Sequence, residues 1–161
     1  MYVMDPAIRN QEPSSFPGDA GLRPAIAVVR GGCRLILEGL HVEKVVHRPE
    51  RLAPVPGAPS WVAGVGCVEG QLFTVIDPAP GGVERTGGGG EIVLARGGTF
   101  LFGIVGDRVE PSRGAAVPVD GDEPPDLPEG LARCAPAAAD PDGHPVVSLD
   151  LPALARERPS W

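Results

Sequence analysis

Three cysteines, three histidines and two similarly placed aspartates are the side chains of this sequence whose types could do chemistry. Cys33, Cys67 and Cys134 could act as nucleophiles, metal ligands or disulfide partners. Their number is odd, they stand far apart and none forms a CxxC pair, so they read as ordinary reduced thiols. Cys67, beside a glycine turn, is the one thiol a histidine could activate. No base or oxyanion device accompanies it in the sequence, and a lone cysteine in an apolar strand reads as a small core residue. His41, His47 and His144 are scattered and lack the HExxH spacing, so no metal site is expected. The run Gly87–Gly90 is followed by Glu91, where a phosphate loop needs Lys and Ser or Thr, and no GxSxG is present. Asp77 and Asp150 each close an apolar run, a place where Asp bonds nearby backbone N–H groups, which gives them structural roles. The expectation is no catalytic residue, no metal and no cofactor, and hence no enzyme.

The elements around these residues are short. Gly (23) and Pro (20) exceed a quarter of the 161 residues, at the edge of the range where low-complexity chains begin, yet 42% of the chain is hydrophobic and clustered, enough for one domain's core. Residues 1–24 hold four prolines and no apolar period, and read as a disordered arm. Ala25–Val29 and Cys33–Leu37 flank Arg30-Gly31-Gly32 as a hairpin. Pro49 to Pro59 forms a connector, and Trp61 to Asp77 is strand, turn and strand with Glu69-Gly70 at the turn. The second half then repeats the first. Ile92–Ala95, Arg96-Gly97-Gly98 and Phe100–Val105 parallel the first hairpin; a Val-Glu pair follows each (Val42-Glu43, Val109-Glu110); an acid-Gly turn and an apolar run ending in Asp close both halves, Glu69–Asp77 and Asp142–Asp150. This pattern predicts an all-β protein of two similar small barrels, residues 25–79 and 91–154, packed through an apolar seam. A Gly-rich connector joins them over 80–90, an acidic, Pro-rich insertion runs from Pro111 to Pro128, and a tail covers 155–161. Short helices are expected at Leu40–Val46 and Leu151–Arg158.

Charge and hydropathy exclude further classes. The net charge of −7 disfavours nucleic acid and anionic lipid as partners. No stretch without charged or strongly polar side chains exceeds eight residues, the length of Trp61–Val68, far short of the roughly 20 residues that cross a bilayer. The first residues carry an acid where a signal peptide needs bases, so a cytoplasmic protein without direct membrane insertion is expected. What remains is surface recognition.

Val42-Glu43-Lys44-Val45, then Pro56-Gly57-Ala58-Pro59-Ser60-Trp61-Val62-Ala63-Gly64-Val65, then Glu69-Gly70 and Val75-Ile76-Asp77 resemble the CheW family of chemotaxis coupling proteins. Phe102–Val109 and Val147–Leu151 continue the resemblance, which spans about residues 25–154. It implies two intertwined SH3-like five-stranded barrels and a non-enzymatic adaptor that bridges the cytoplasmic tip of a chemoreceptor to the regulatory domain of a CheA-type histidine kinase, at receptor arrays beneath the membrane. The positions it marks for partner binding are Val42, Lys44, Val45, Val65, Glu69 and Gly70. Such an adaptor needs small apolar patches rimmed by polar groups, weak singly and strong together in an array. The chain departs from the family where Asn-Leu-Arg-Gly becomes Cys67-Val68-Glu69-Gly70, where a Glu becomes Lys44 and where a Pro becomes Thr74. The first two changes reverse charge in one neighbourhood and form a candidate compensated pair. The competing readings are a CheW-like module of another two-component assembly without a chemoreceptor, favoured by Glu69, and a small cysteine-dependent enzyme centred on Cys67.

Overall fold

Each glycine turn seen in the sequence folds the chain back on itself. The computed structural model describes residues 24–49, 51–80, 90–112, 116–120 and 127–157; the N-terminal arm, nearly all of the Gly-rich connector, much of the insertion and the end of the tail lie outside the described residues. β1 (Ala25–Arg30) and β2 (Cys33–Glu38) pair antiparallel across Gly31-Gly32, with Gly31 at φ +58. A 3-10 turn over Gly39–His41 leads into β3 (Val42–His47). β4 (Val62–Val68) and β5 (Gln71–Ile76) close on Glu69-Gly70, whose φ values of +52 and +78 are those of a type I′ turn. β6 (Glu91–Gly97) and β7 (Phe100–Gly106) form the third hairpin. Then come β8 (Arg108–Ser112), β9 (Val117–Pro118), α1 (Glu129–Ala132), β10 (Ala137–Ala139), β11 (Pro145–Ser148) and α2 (Leu151–Arg156).

The strands make two mixed sheets, in the orders β8-β1-β2-β11-β10-β9 and β3-β6-β7-β5-β4. The sequence halves are therefore not the structural units. The first sheet joins the opening hairpin to four strands of the second half, and the second joins three first-half strands to the β6–β7 hairpin. The parallel pairs β2–β11 and β5–β7 stitch the halves together within each sheet. Two five-stranded barrels are implied by the resemblance; the first sheet has a sixth, two-residue strand, β9, contributed by the insertion.

The second sheet is rolled. Strands are spaced about 4.8 Å, so in a flat sheet the β4–β5 turn would lie more than ~14 Å from β3, at the opposite edge, beyond the combined reach of a lysine and a glutamate. Lys44 Nζ on β3 nevertheless donates to Glu69 Oε2 at 2.7 Å, so the edges have curled together as in a barrel. The core follows from this arrangement. A central cluster between the sheets takes Val28, Leu35 and Leu37 from one and Val93, Phe102 and Ile104 from the other, roofed by Trp61, Leu131, Leu151 and Leu154. Alternate residues of the same strands fill each barrel: Phe73, Val75, Ile92, Leu94, Leu101 and Val105 in one, Ala25, Ala27, Ile36, Ala138 and Val146 in the other.

Three local expectations resolve differently from one another. Leu40–Val46 is a 3-10 turn and strand, not a helix, because Val42, Val45 and Val46 are β-branched and lose rotamer freedom in a helix. The C-terminal helix forms over Leu151–Arg156, and Asp150 Oδ1 accepts the Ala153 N–H at 2.9 Å as its N-cap. Asp77 closes β5 and accepts the Ala79 N–H, a structural role, but it does more than its sequence position suggests.

Candidate partner-binding site

Strand direction assembles the site. β3 runs antiparallel to β6, β6 to β7 and β5 to β4, while β5 and β7 are parallel. One end of the second barrel therefore gathers the start of β3, the end of β6, the starts of β7 and β5, and the end of β4. A groove of about 510 Å³ opens there, lined by Val55, Val65, Leu72, Phe73, Phe100 and Phe102, with Gln71, Thr74, Arg96 and Thr99 as its polar members. Phe73 is its floor. Its ring fills the barrel interior between Gly66 and Gly103, where an added Cβ would meet the ring at 2.5 and 2.8 Å. Because glycines 64 and 66 occupy the inward positions of β4, the larger residues Val65 and Cys67 point outward, opposite Thr74 and Leu72. Leu72 is 70% exposed.

Two ion pairs stand at the same barrel end as the groove, one of them through Arg96 of its lining. Arg96 Nε lies 2.5 Å from Glu43 Oε1, tying β6 to the bulge of β3, and Lys44 pairs with Glu69 across the seam of the barrel. The hydrogen bond from Lys44, helped by its charge, lowers the pKa of Glu69 below the ordinary carboxylate value. Of the positions marked in the sequence, only Val65 lines the groove, while Lys44, Glu69 and Gly70 stand at the same barrel end, where Lys44 meets Glu69. Val42 sits on the same strand but packs against the central core, and Val45, 41% exposed, lies further along β3 outside the groove lining. The opposite charges at 44 and 69 are a pair within this chain.

Cys67 is exposed, which corrects the reading of it as a core residue. Its strand writes its buried face in glycine, so the usual link between apolar character and burial fails there. Cys33 and Cys134 are buried, and burial pushes the Cys33 thiol up to about 11. His144 joins Asp140 and Asp142 in a loop whose ligand atoms lie within 4.8 Å of one another. Asp140 Oδ1 accepts the N–H groups of Asp142 and His144, both at 2.9 Å, so the cluster is a hydrogen-bonded turn.

Sequence reasoning missed the strongest polar cluster, at the junction of the sheets. Arg30, at the end of β1, donates from Nε and Nη2 to the two oxygens of Asp77 at 2.9 and 2.8 Å, and from Nη1 to Asp107 at 2.9 Å. Gly31 N–H also donates to Asp107, which stands where the chain crosses from β7 to β8. Arg30 and Asp77 side chains are 17% and 11% exposed, and the bonds to Asp77 raise the Arg30 pKa above its already high value. The signal was present only as a terminal Arg and a terminal Asp, 47 residues apart.

The family model of the CheW-like domain matches residues 25–158, most of the chain and both sheets. The chain belongs to the CheW-like family. Its fold is also that of the scaffolding protein TtCheW from Thermoanaerobacter tengcongensis, with a TM-score of 0.59 at 14% identity over 80% of this chain and 88% of that one. No curated protein matches the chain in sequence. CheW-like domains are non-enzymatic scaffolds, in keeping with a site made of apolar surface and ion pairs. Among the described residues, no helix is long and apolar enough to cross a membrane.

Proposed function

We propose that this protein is an adaptor that links the cytoplasmic tip of a chemoreceptor to the regulatory domain of a CheA-type histidine kinase, as part of an array beneath the membrane. The observation that carries this reading is the groove at the end of the second barrel, largely apolar in its lining, with the ion pairs Glu43–Arg96 and Lys44–Glu69 at the same end, on a chain whose CheW-like match runs from residue 25 to 158. Apolar surface of this size, ringed by polar groups, suits partners that bind weakly one at a time and firmly together. Val42, Lys44, Val45, Val65, Glu69 and Gly70 are the proposed contact positions. Titrating the kinase regulatory domain and a receptor-tip fragment of the same organism into this protein tests it, and saturable binding to both is expected.

A second reading has one specific observation behind it. Glu69 places an anion where the family places Arg, and a reversed charge is tolerated only by a partner that is reversed as well. A CheW-like module serving another two-component assembly, without a chemoreceptor, would bind the kinase domain alone.

A further inference from the structure

The barrel-end groove carries information about what it accepts. Of the four charges at this barrel end, Arg96, in the lining, and Glu43 neutralise each other at 2.5 Å with side chains 39% and 35% exposed, while Glu69 stands in the turn just before Gln71 and Leu72 of the lining. Lys44 gives its ammonium to Glu69, and here the exposure is unequal: 36% for Lys44 and 78% for Glu69. Lys44 engages only Oε2, whereas a carboxylate offers about four acceptor positions, so Glu69 can hold a second cationic donor. Glu69 also holds φ +52, the conformation a type I′ turn requires of its first central residue, which sets it at the tip of the hairpin. Leu72, three residues on, projects into solvent from the same hairpin and lines the groove.

We infer that the groove takes a segment of a partner protein carrying an apolar side chain beside a basic one, the apolar group seated against Leu72 and Val65 and the cation on the outward side of Glu69. The inference rests on the adaptor reading and names the chemistry of its partner. Charge selects this occupant over a second copy of the chain, because each copy carries a net charge of −7 and repels its like, whereas a basic segment is drawn to it.

Two short synthetic peptides test it, one alternating leucine with arginine and one alternating leucine with glutamate, each titrated into the isotope-labelled full chain with backbone amide shifts as readout. The basic peptide is expected to shift amides of residues 65–74 and 99–102 and to bind at least about 10-fold more tightly than the acidic one. Leu72→Ser should abolish the localised shifts, and Glu69→Lys should reverse the preference between peptides; both positions are exposed, and the unchanged remainder of the spectrum reports that the variants fold. Equal binding of the two peptides, shifts that fall elsewhere, or no binding at all would overturn the inference. So would amide shifts at these residues that grow with protein concentration alone, which would make a second copy the occupant. Neither peptide is a kinase or a receptor: a failure here beside intact kinase binding removes only the partner's chemistry, and a failure of kinase binding beside the peptide preference removes only the adaptor reading.

Discussion

Arg30 holds the point where the two sheets meet, and taking it away strands a buried carboxylate. Removing one member of a buried, hydrogen-bonded ion pair costs about 3–5 kcal/mol, since the remaining charge is left without compensation. Arg30→Met is therefore expected to lower unfolding free energy by roughly 3 kcal/mol in chemical denaturation, the low end because the pair keeps some contact with water. Arg30→Met with Asp77→Leu should recover most of that loss. Cys33 gives a pH dependence of opposite origin. Its folded thiol titrates at about 11 through burial, against roughly 8.5 for a free thiol, so the unfolded chain loses this proton first. Above the free value the native state binds more protons than the unfolded one, and stability falls as pH rises from about 8.5 to 11. Denaturation midpoints at neutral and alkaline pH should show the decline, and Cys33→Val should reduce it. Glu69 behaves in the reverse sense: its pKa is depressed, so its small contribution is present at neutral pH and is lost on acidification. At this scale the sequence was partly legible. Asp150 was read as a strand-end hydrogen-bonder and caps α2, but Arg30–Asp77 and Lys44–Glu69 join residues 47 and 25 positions apart, and their contact exists only once the sheets are folded.

The groove depends on how β4, β5 and β7 share space. Phe73 from β5 lies between Gly66 of β4 and Gly103 of β7, each close enough that a methyl group would drive into the ring. Gly66→Ala and Gly103→Ala should each destabilise the protein by about 1–3 kcal/mol, the usual cost of overpacking. Phe73→Leu, which frees space, should relieve much of the Gly66→Ala penalty in a double-mutant cycle. Thermal denaturation of the four variants checks this, and purely additive losses would mean that the ring is not the obstacle. The hairpins themselves were readable because Gly31-Gly32, Glu69-Gly70 and Asp142-Gly143 mark turns by backbone freedom alone. β3 was not. Val42–Val46, five of its six residues, fall in the expected short helix Leu40–Val46, and their place beside β6 fixes them as a strand. Cys67 was misjudged for a related reason, since the inward face of β4 is glycine and the ring that covers it comes from another strand.

Two sheets that exchange strands and share a central cluster should behave as one unit. Val28 and Leu37 from the first sheet and Val93 and Ile104 from the second lie in the same core, so each sheet carries, besides the face that fills its own barrel, an apolar face that only the other can cover. Equilibrium unfolding is expected to be a single transition with coincident probes. Fragments 25–79 and 91–154, the repeats seen in the sequence, should be unfolded when made separately, because each lacks strands of both sheets. The repeat correctly announced two small barrels, yet pairing between distant strands is invisible to local pattern, and so the exchange came from the resemblance rather than from periodicity. The adaptor role is a property of the whole molecule as well, since a bridge must hold two partners at once and so needs a surface for each. Titrating the kinase regulatory domain and the receptor tip, separately and then together, into this protein at two salt concentrations is the most direct test. Saturable binding to both, with a ternary complex and affinity that weakens as salt rises, is the result expected. Binding to neither partner would contradict it.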